Sequence, residues 1–183
     1  HCDYGNHTLT VPSSDMTDNS ITFLMYFSDV SEEHGPAHYV RRGDSEKINK
    51  IAEKFLSGVD SNALQQSLKP YERTTAGPSG TIFAYGIDIF HRATNITKPG
   101  AHRYAVTSCF KKAENDKIGF TAWPYHQHKP WRIIFENGSP EQLNCFGVPL
   151  PGDPFWSKDT IRLANLRYPG WNMAEYKKKM VTN

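Results

Sequence analysis

The stretch Gly80-Thr81-Ile-Phe-Ala-Tyr85, followed by Asp88-Ile-Phe-His-Arg92, decides how the fold is interpreted. Thr81 to Tyr85 is a run of β-branched and aromatic residues that starts after the turn Gly77-Pro-Ser-Gly80. Such a run, bounded by turn residues and too short for a lone helix, is typical of a strand. Asp88 to Arg92 is a second candidate strand, and it carries a histidine near its end. The centre of the chain is therefore predicted to be β-structure.

Segments of the same character lie on both sides of this stretch. They are Thr8–Val11, Ile21–Phe27, Ala37–Arg41, Arg103–Phe110 and Ile118–Ala122. Many short strands separated by turns are typical of a β-sandwich or a jelly roll. We therefore expect a mainly β fold with helical insertions.

The periodicity changes to that of a helix at about residues 44–70. Ile48, Ile51, Ala52 and Phe55 follow the i, i+3, i+4, i+7 spacing of an amphipathic helix, and Asn62–Leu68 is a second short helix. Further helices are expected at Pro140–Cys145, Asp159–Leu166 and Met173–Met180. The predicted organisation is one domain over residues 1–183. It has a jelly-roll core over 1–122, a helical insertion at about 44–70, and an irregular helical extension over 123–183.

Composition excludes several classes of protein. The chain has 183 residues and a formal charge of +2, and its longest basic run is Lys177-Lys-Lys179, which gives no electrostatic footprint for nucleic acid. No apolar run approaches the roughly 18 residues of a membrane span. Three sparse cysteines do not form a disulfide framework, so we expect reduced thiols and a cytoplasmic location. The sequence does not predict an oligomeric state.

The triplet His1-Cys2-Asp3 is the pattern with the most specific chemistry. On a strand, residues two apart point to the same face, so the imidazole and the carboxylate can both bind one metal ion. His91, at the end of the central β segment, is the best third ligand from another strand. Two histidines and one carboxylate make the facial triad of non-haem Fe(II) oxygenases. Elsewhere, His34 and His38 lie beside a turn and have no carboxylate partner in the pattern.

Arg103 lies twelve residues after His91, beyond a Pro-Gly turn, at the start of the next predicted strand. A guanidinium there can point into the same cavity as the histidines and bind a carboxylate through two hydrogen bonds. A dicarboxylate cosubstrate would provide that anion. The alternative is a surface arginine at the start of a strand.

With these residues, the chain resembles the phytanoyl-CoA dioxygenase family of Fe(II)/2-oxoglutarate oxygenases. Three blocks carry the resemblance over residues 1 to about 110, and Arg167-Tyr-Pro-Gly170 in the tail also resembles bacterial members. The blocks are His1-Cys-Asp-Tyr-Gly-Asn-His-Thr-Leu9, Phe23-Leu-Met-Tyr-Phe-Ser-Asp-Val-Ser-Glu-Glu-His-Gly-Pro36, and Gly80-Thr-Ile-Phe83 to His91-Arg-Ala-Thr-Asn95 with Arg103.

The resemblance implies a double-stranded β-helix, the cupin-like jelly roll, that hydroxylates a small organic substrate with O₂. It implies that His1, Asp3 and His91 bind Fe(II) and that Arg103 binds the far carboxylate of 2-oxoglutarate, which is converted to succinate and CO₂. Asp3 favours hydroxylation, because halogenating relatives have a small residue there. Thr8 can reach the cosubstrate or simply pack.

Two features of the resemblance bear on the site. The spacing of Arg103 from His91 requires one extra residue in the turn Lys98-Pro-Gly-Ala101; in a strict register Arg103 faces away. The family also carries helices and strands before its HxD segment. We therefore expect the chain to be a fragment, incomplete at the N-terminus of its jelly roll.

Two other functions stay open at this point. One is a non-catalytic jelly-roll binding domain. The other is a cupin-type isomerase or hydrolase that uses Zn or Mn and does not respond to 2-oxoglutarate. The sequence does not identify the substrate.

Overall fold

The computed structural model describes residues 1–13, 20–48, 62–119 and 130–180. The chain divides into two compact units. Within the described residues, the first unit comprises 1–3, 20–48 and 62–110, and the second comprises 4–13, 111–119 and 130–180. Each unit is described by itself below.

The strands lie almost entirely in the first unit. In the described residues they are β1 (Ser20–Tyr26), β2 (His38–Tyr39), β3 (Arg73–Thr74), β4 (Ile82–Gly86), β5 (His91–Arg92) and β6 (Ala105–Lys111). One sheet has the order β4–β1–β6 and the other has the order β3–β2–β5. The described residues thus form two small antiparallel sheets with short helices.

Strand positions agree with most of the sequence predictions. The predicted strands at Ile21–Phe27, Thr81–Tyr85 and Arg103–Phe110 are confirmed as β1, β4 and β6, and Ala37–Arg41 is confirmed in part as β2. The predicted strand Asp88–Arg92 is present only as the two residues of β5. The first half of the predicted strand is instead part of a tight turn, in which the Ile89 amide donates to the Gly86 carbonyl at 3.1 Å.

The register between β1 and β4 determines which side chains share a face. Thr22 lies opposite Tyr85 and Leu24 lies opposite Phe83, while Phe23 lies opposite Ala84. Directly paired residues point to the same side of an antiparallel sheet. Tyr85 and Phe83 therefore project from one face of the sheet, and Phe23 projects from the other.

Helices occur in both units. Among the residues described, the helices of the first unit are Arg42–Ser45 and Asn62–Leu68, with 3₁₀ turns at Glu32–His34 and Lys69–Tyr71. Those of the second unit are Tyr4–His7, Trp131–Asn137, Pro140–Asn144, Lys158–Arg167 and Ala174–Lys178. The predicted helix Asn62–Leu68 and the three predicted C-terminal helices are confirmed. Capping boxes explain where the Pro140–Asn144 and Lys158–Arg167 helices begin, because the Ser139 and Ser157 hydroxyls accept from the amides of Gln142 and Thr160.

The second unit is built around an aromatic core. Phe135 is 1% exposed and stacks on Tyr168 with ring centroids 3.7 Å apart. Trp156, Trp171 and Tyr176 pack edge-to-face, with centroids 4.7 to 5.9 Å apart. Such pairs add to the free energy gained from burying apolar area. The Trp131–Asn137 helix that delivers Phe135 was not predicted from the sequence.

The prediction of a strand at Thr8–Val11 is wrong. Residues Tyr4–His7 form a helical turn, and Thr8 makes only an isolated bridge to Ile118. The carbonyls of Thr8 and Thr10 accept hydrogen bonds from the buried Arg167 guanidinium. The Arg167 guanidinium thus donates to carbonyls that would accept from a neighbouring strand in a sheet, and the segment packs as a loop.

Some predictions fall outside the described residues. They are most of the amphipathic face formed by Ile48, Ile51, Ala52 and Phe55, and all but the first two residues of Ile118–Ala122. Within the described part of the chain, the helices are all too short or too polar to cross a lipid bilayer.

Truncation of Phe135 tests the aromatic core. We expect Phe135→Ala to lower the free energy of unfolding by about 3–5 kcal/mol, because it leaves a cavity beneath Tyr168. Ile133→Ala on the same helix is the control, because Ile133 is 62% exposed. Urea denaturation followed by circular dichroism measures both. Equal losses for the two variants would contradict this description of the core.

Candidate metal centre

His1, Asp3 and His91 lie together in the first unit. Each offers one ligand atom, and the three atoms all lie within 4.8 Å of one another. Asp3 Oδ1 is 3.6 Å from His1 Nε2 and 3.8 Å from His91 Nε2. Two donors bound to one ion lie at most about 4.4 Å apart, so both distances suit a shared metal. Among the described residues, this is the one such group of His, Cys, Asp or Glu.

Backbone hydrogen bonds position the cluster. The His1 nitrogen donates to the His91 carbonyl at 3.2 Å, and the His91 amide donates to the His1 carbonyl at 2.8 Å. The Asp3 amide donates to the Ile87 carbonyl at 2.7 Å. Residues 1–3 therefore lie along the segment from Ile87 to His91, which ends at the start of β5.

The predicted same-strand geometry for His1 and Asp3 is wrong. Asp3 lies in a turn that leads into the Tyr4–His7 helix, and neither residue belongs to an assigned strand. The two side chains converge because the Asp3 amide bonds to the carbonyl of Ile87, within the Gly86–Ile89 turn, and not to the residue that a regular strand pairing would place opposite it. The convergence comes from this irregular pairing rather than from strand alternation.

A hydrogen bond fixes the orientation of the His91 ring. His91 Nδ1 lies 2.9 Å from the Ile89 carbonyl, which only accepts hydrogen bonds. Nδ1 therefore carries a proton and donates it to this carbonyl, and Nε2 is the ring nitrogen that faces Asp3. This ring orientation leaves Nε2 as the nitrogen that can bind a metal ion. The Asp3 side chain is 10% exposed, so its carboxylate is largely withdrawn from water.

An aromatic row connects the cluster to both sheets. Ring centroids are 4.6 Å apart for Tyr39 and Phe83, 4.9 Å for Phe83 and Tyr85, and 4.8 Å for Tyr85 and His91. The His1 ring continues the row at 4.6 Å from His91. Burial, together with the nearby Asp3 and Cys109, raises the pKa of Tyr85, so its phenol stays protonated and neutral at any physiological pH.

A network of charged side chains also holds β5 in place, through its second residue, Arg92. Glu72 accepts from Arg92 Nε at 2.6 Å and Nη2 at 2.8 Å, and it lies 3.3 Å from His38 Nδ1. His38 Nε2 lies 3.1 Å from Glu32. The Arg92 guanidinium, and then His38, hold the pKa of the Glu72 carboxyl below its ordinary value. The network fixes Arg92 and hence the neighbouring His91.

The prediction that His38 has no carboxylate partner is wrong. Glu32 and Glu72 face its two ring nitrogens. Glu32 lies six residues before His38 and Glu72 lies thirty-four after it. The pairing of β2 with β3 puts His38 opposite Thr74 and so brings Glu72 beside it. A contact made by pairing of distant strands has no local spacing in the sequence, so the pattern alone does not identify the network.

A cavity of about 570 Å³ opens at the cluster, and His1 and His91 are part of its wall. This volume suits a small organic molecule. The rest of the wall comes from β2, β5, the Asn62–Leu68 helix and the turn after it. A metal ion held by the cluster would thus have protein on one side and open space on the other.

Arg103 lies two residues before β6 and is half-buried. Cys109 contacts Thr22, and Phe110 contacts Phe23, so odd-numbered residues of β6 share the sheet face of Thr22 and Tyr85. Continued alternation places Arg103 on that same face. Its side chain makes no hydrogen bond or ion pair with the described residues, and it does not line the 570 Å³ cavity.

Thr8 belongs to the second unit and is 1% exposed. Its hydroxyl lies 3.0 Å from the Tyr4 carbonyl and 3.1 Å from the Thr10 carbonyl, and Arg167 Nη1 donates to it at 3.3 Å. These contacts match the packing alternative for this residue. A role in binding a cosubstrate stays a prediction.

No protein-family model matches the chain, and a search of curated proteins finds no match. The resemblance to phytanoyl-CoA dioxygenases therefore stays a prediction. The evidence for a metal site in the described residues is the geometry of His1, Asp3 and His91.

Metal titration tests the cluster directly. We expect Asp3→Asn to weaken Co²⁺ binding by at least about 100-fold, because a neutral amide replaces the only anionic donor of the set. Asp29→Asn removes the same charge from an exposed position of the same unit and should leave affinity unchanged. Calorimetry and visible absorption measure binding. Full Co²⁺ affinity in Asp3→Asn would show that the cluster is not the binding site.

Acid titration tests the network around Glu72. Glu72→Gln should cost on the order of 1 kcal/mol in free energy of unfolding at neutral pH, where wild-type Glu72 is ionised and bonded to Arg92. Because the folded pKa is lowered, this advantage exists above the unfolded value of about 4.3 and is lost as pH falls through the folded value. Glu33→Gln is the control. A difference between wild type and Glu72→Gln that does not shrink in acid would contradict the assignment.

Proposed function

We propose that this chain is a non-haem Fe(II)/2-oxoglutarate-dependent dioxygenase that hydroxylates a small organic substrate. The observation that carries the proposal is the convergence of His1, Asp3 and His91 beside a cavity. Two imidazole nitrogens and one carboxylate oxygen are the donor set of the facial triad, which leaves positions open for other ligands. The two small sheets are compatible with a jelly roll, and we propose that fold for the β-structure.

The chain's own residues would act by holding and orienting. His1, Asp3 and His91 would hold the iron, and the Ile89 carbonyl would keep the His91 ring turned towards it. Iron bound there would support oxidation of a substrate C–H bond by O₂, coupled to conversion of 2-oxoglutarate into succinate and CO₂. The aromatic row of Tyr39, Phe83 and Tyr85 would exclude water from one side of the cluster.

Arg103 would bind the far carboxylate of 2-oxoglutarate. Strand alternation supports this role, because it gives Arg103 the same sheet face as Tyr85, at the end of the sheet near Ser28. A guanidinium that has no anionic partner among the described residues is suited to a bidentate bond with a carboxylate.

Turnover of 2-oxoglutarate tests the proposal. We expect Fe(II)-dependent formation of succinate by the wild-type chain, even without substrate, and none by His91→Ala, which removes a ligand. Nuclear magnetic resonance of the reaction mixture measures succinate. Undiminished succinate formation by His91→Ala would contradict the proposal.

Anaerobic binding tests the role of Arg103. Fe(II) and 2-oxoglutarate together should give a visible charge-transfer band, and Arg103→Ala should raise the 2-oxoglutarate concentration at half-saturation at least about 10-fold. Arg162→Ala, at an exposed arginine of the second unit, is the matched control. A wild-type chain that binds metal but gives no band with 2-oxoglutarate would instead support a cupin-type enzyme with another metal. A chain that binds neither would support a binding domain.

A further inference from the structure

The cavity beside the cluster has an apolar part and a polar part. Its apolar lining comes from both the sheet and the helix side, namely Tyr39, Val40, Leu68, Phe90 and Ala93. Its amide lining comes from the Asn62–Leu68 helix, namely Asn62, Gln65 and Gln66. A cavity of this kind selects a molecule that has an apolar body and at least one polar group.

The charges on the cavity wall do not cancel. Glu72 and Arg92 both line it, and they neutralise each other through two hydrogen bonds of 2.6 and 2.8 Å. Lys69 lines it as well, and its ammonium makes no hydrogen bond or ion pair with the described residues. Counting side chains other than the histidines, the lining carries one net positive charge, and that charge is on Lys69.

Lys69 is placed at the junction of helix and turn. It begins the 3₁₀ turn Lys69–Tyr71 directly after the Asn62–Leu68 helix, and its carbonyl accepts from the Glu72 amide at 3.2 Å. The backbone is therefore fixed, while the long side chain is exposed. A compact ammonium group on a flexible stem adapts to a carboxylate without the strict geometry that a guanidinium imposes.

From these features we infer that the cavity binds an amphiphilic organic anion whose carboxylate lies at Lys69. The inference deepens the proposed function, because this anion would be the substrate presented to the metal centre. The same chemistry could come from the far carboxylate of 2-oxoglutarate. The two sources differ in their need for metal, because 2-oxoglutarate is anchored by the ion and the substrate is not.

Matched probes test the inference without turnover. Metal-free protein is titrated calorimetrically with 4-phenylbutyrate and with 4-phenylbutyramide, which share an apolar body and differ in charge. The acid should bind at least about 10-fold more tightly than the amide. Lys69→Gln should abolish this preference, and Lys98→Gln, which removes the same charge from an exposed turn outside the cavity, should keep it.

A second arm distinguishes the source of the anion. Co²⁺-loaded wild type and Lys69→Gln are titrated with 2-oxoglutarate, and equal affinities are expected if Lys69 serves the substrate. A loss of 10-fold or more in Lys69→Gln would assign Lys69 to the cosubstrate and overturn the inference. Equal binding of acid and amide by wild type, a preference that survives in Lys69→Gln, or no binding of either probe would also overturn it. Acid binding without any Fe(II)/2-oxoglutarate complex would refute only the proposed function.

Discussion

The paired backbone hydrogen bonds between His1 and His91 are the constraint on which the candidate site depends. They join segments ninety residues apart in sequence, at 3.2 and 2.8 Å, and bring two imidazoles next to each other. The Asp3 amide adds a third bond, to Ile87, that turns the carboxylate towards both rings. Closing so long a loop costs conformational entropy, which the packing of the surrounding strands must offset.

The surrounding structure keeps these bonds in register. β5 has only two residues, so its own ladder to β2 contributes little. The Glu72–Arg92 ion pair and the row of rings from Tyr39 to His91 hold it from two directions. Four of these side chains, Tyr39, Glu72, His91 and Arg92, also line the cavity, which links the stability of the strand to the shape of the site.

The sequence predicts regular elements better than irregular ones. β1 and β4 are dense in β-branched and aromatic residues, and the Lys158–Arg167 helix begins at a serine cap, so local chemistry identifies each of them. The Thr8–Val11 segment has the composition of a strand, but the distant Arg167 donates hydrogen bonds to the carbonyls of Thr8 and Thr10. Composition contains no information about such a partner.

The candidate site was predicted in its residues but not in its geometry. The identities of His1, Asp3 and His91 follow from the chemistry of the donor types and from the family resemblance. Their convergence depends on a turn at Gly86–Ile89 that shifts Asp3 out of strand alternation. The pairing of His38 with Glu32 and Glu72, and the position of Lys69 in the cavity wall, depend on tertiary contacts that have no spacing pattern in the sequence.

Anomalous diffraction at the iron edge, from crystals loaded with Fe(II) without oxygen, tests the central claim most directly. The account predicts one strong peak about 2.2 Å from His1 Nε2, Asp3 Oδ1 and His91 Nε2. Iron bound elsewhere, with these three side chains free of it, would contradict the account.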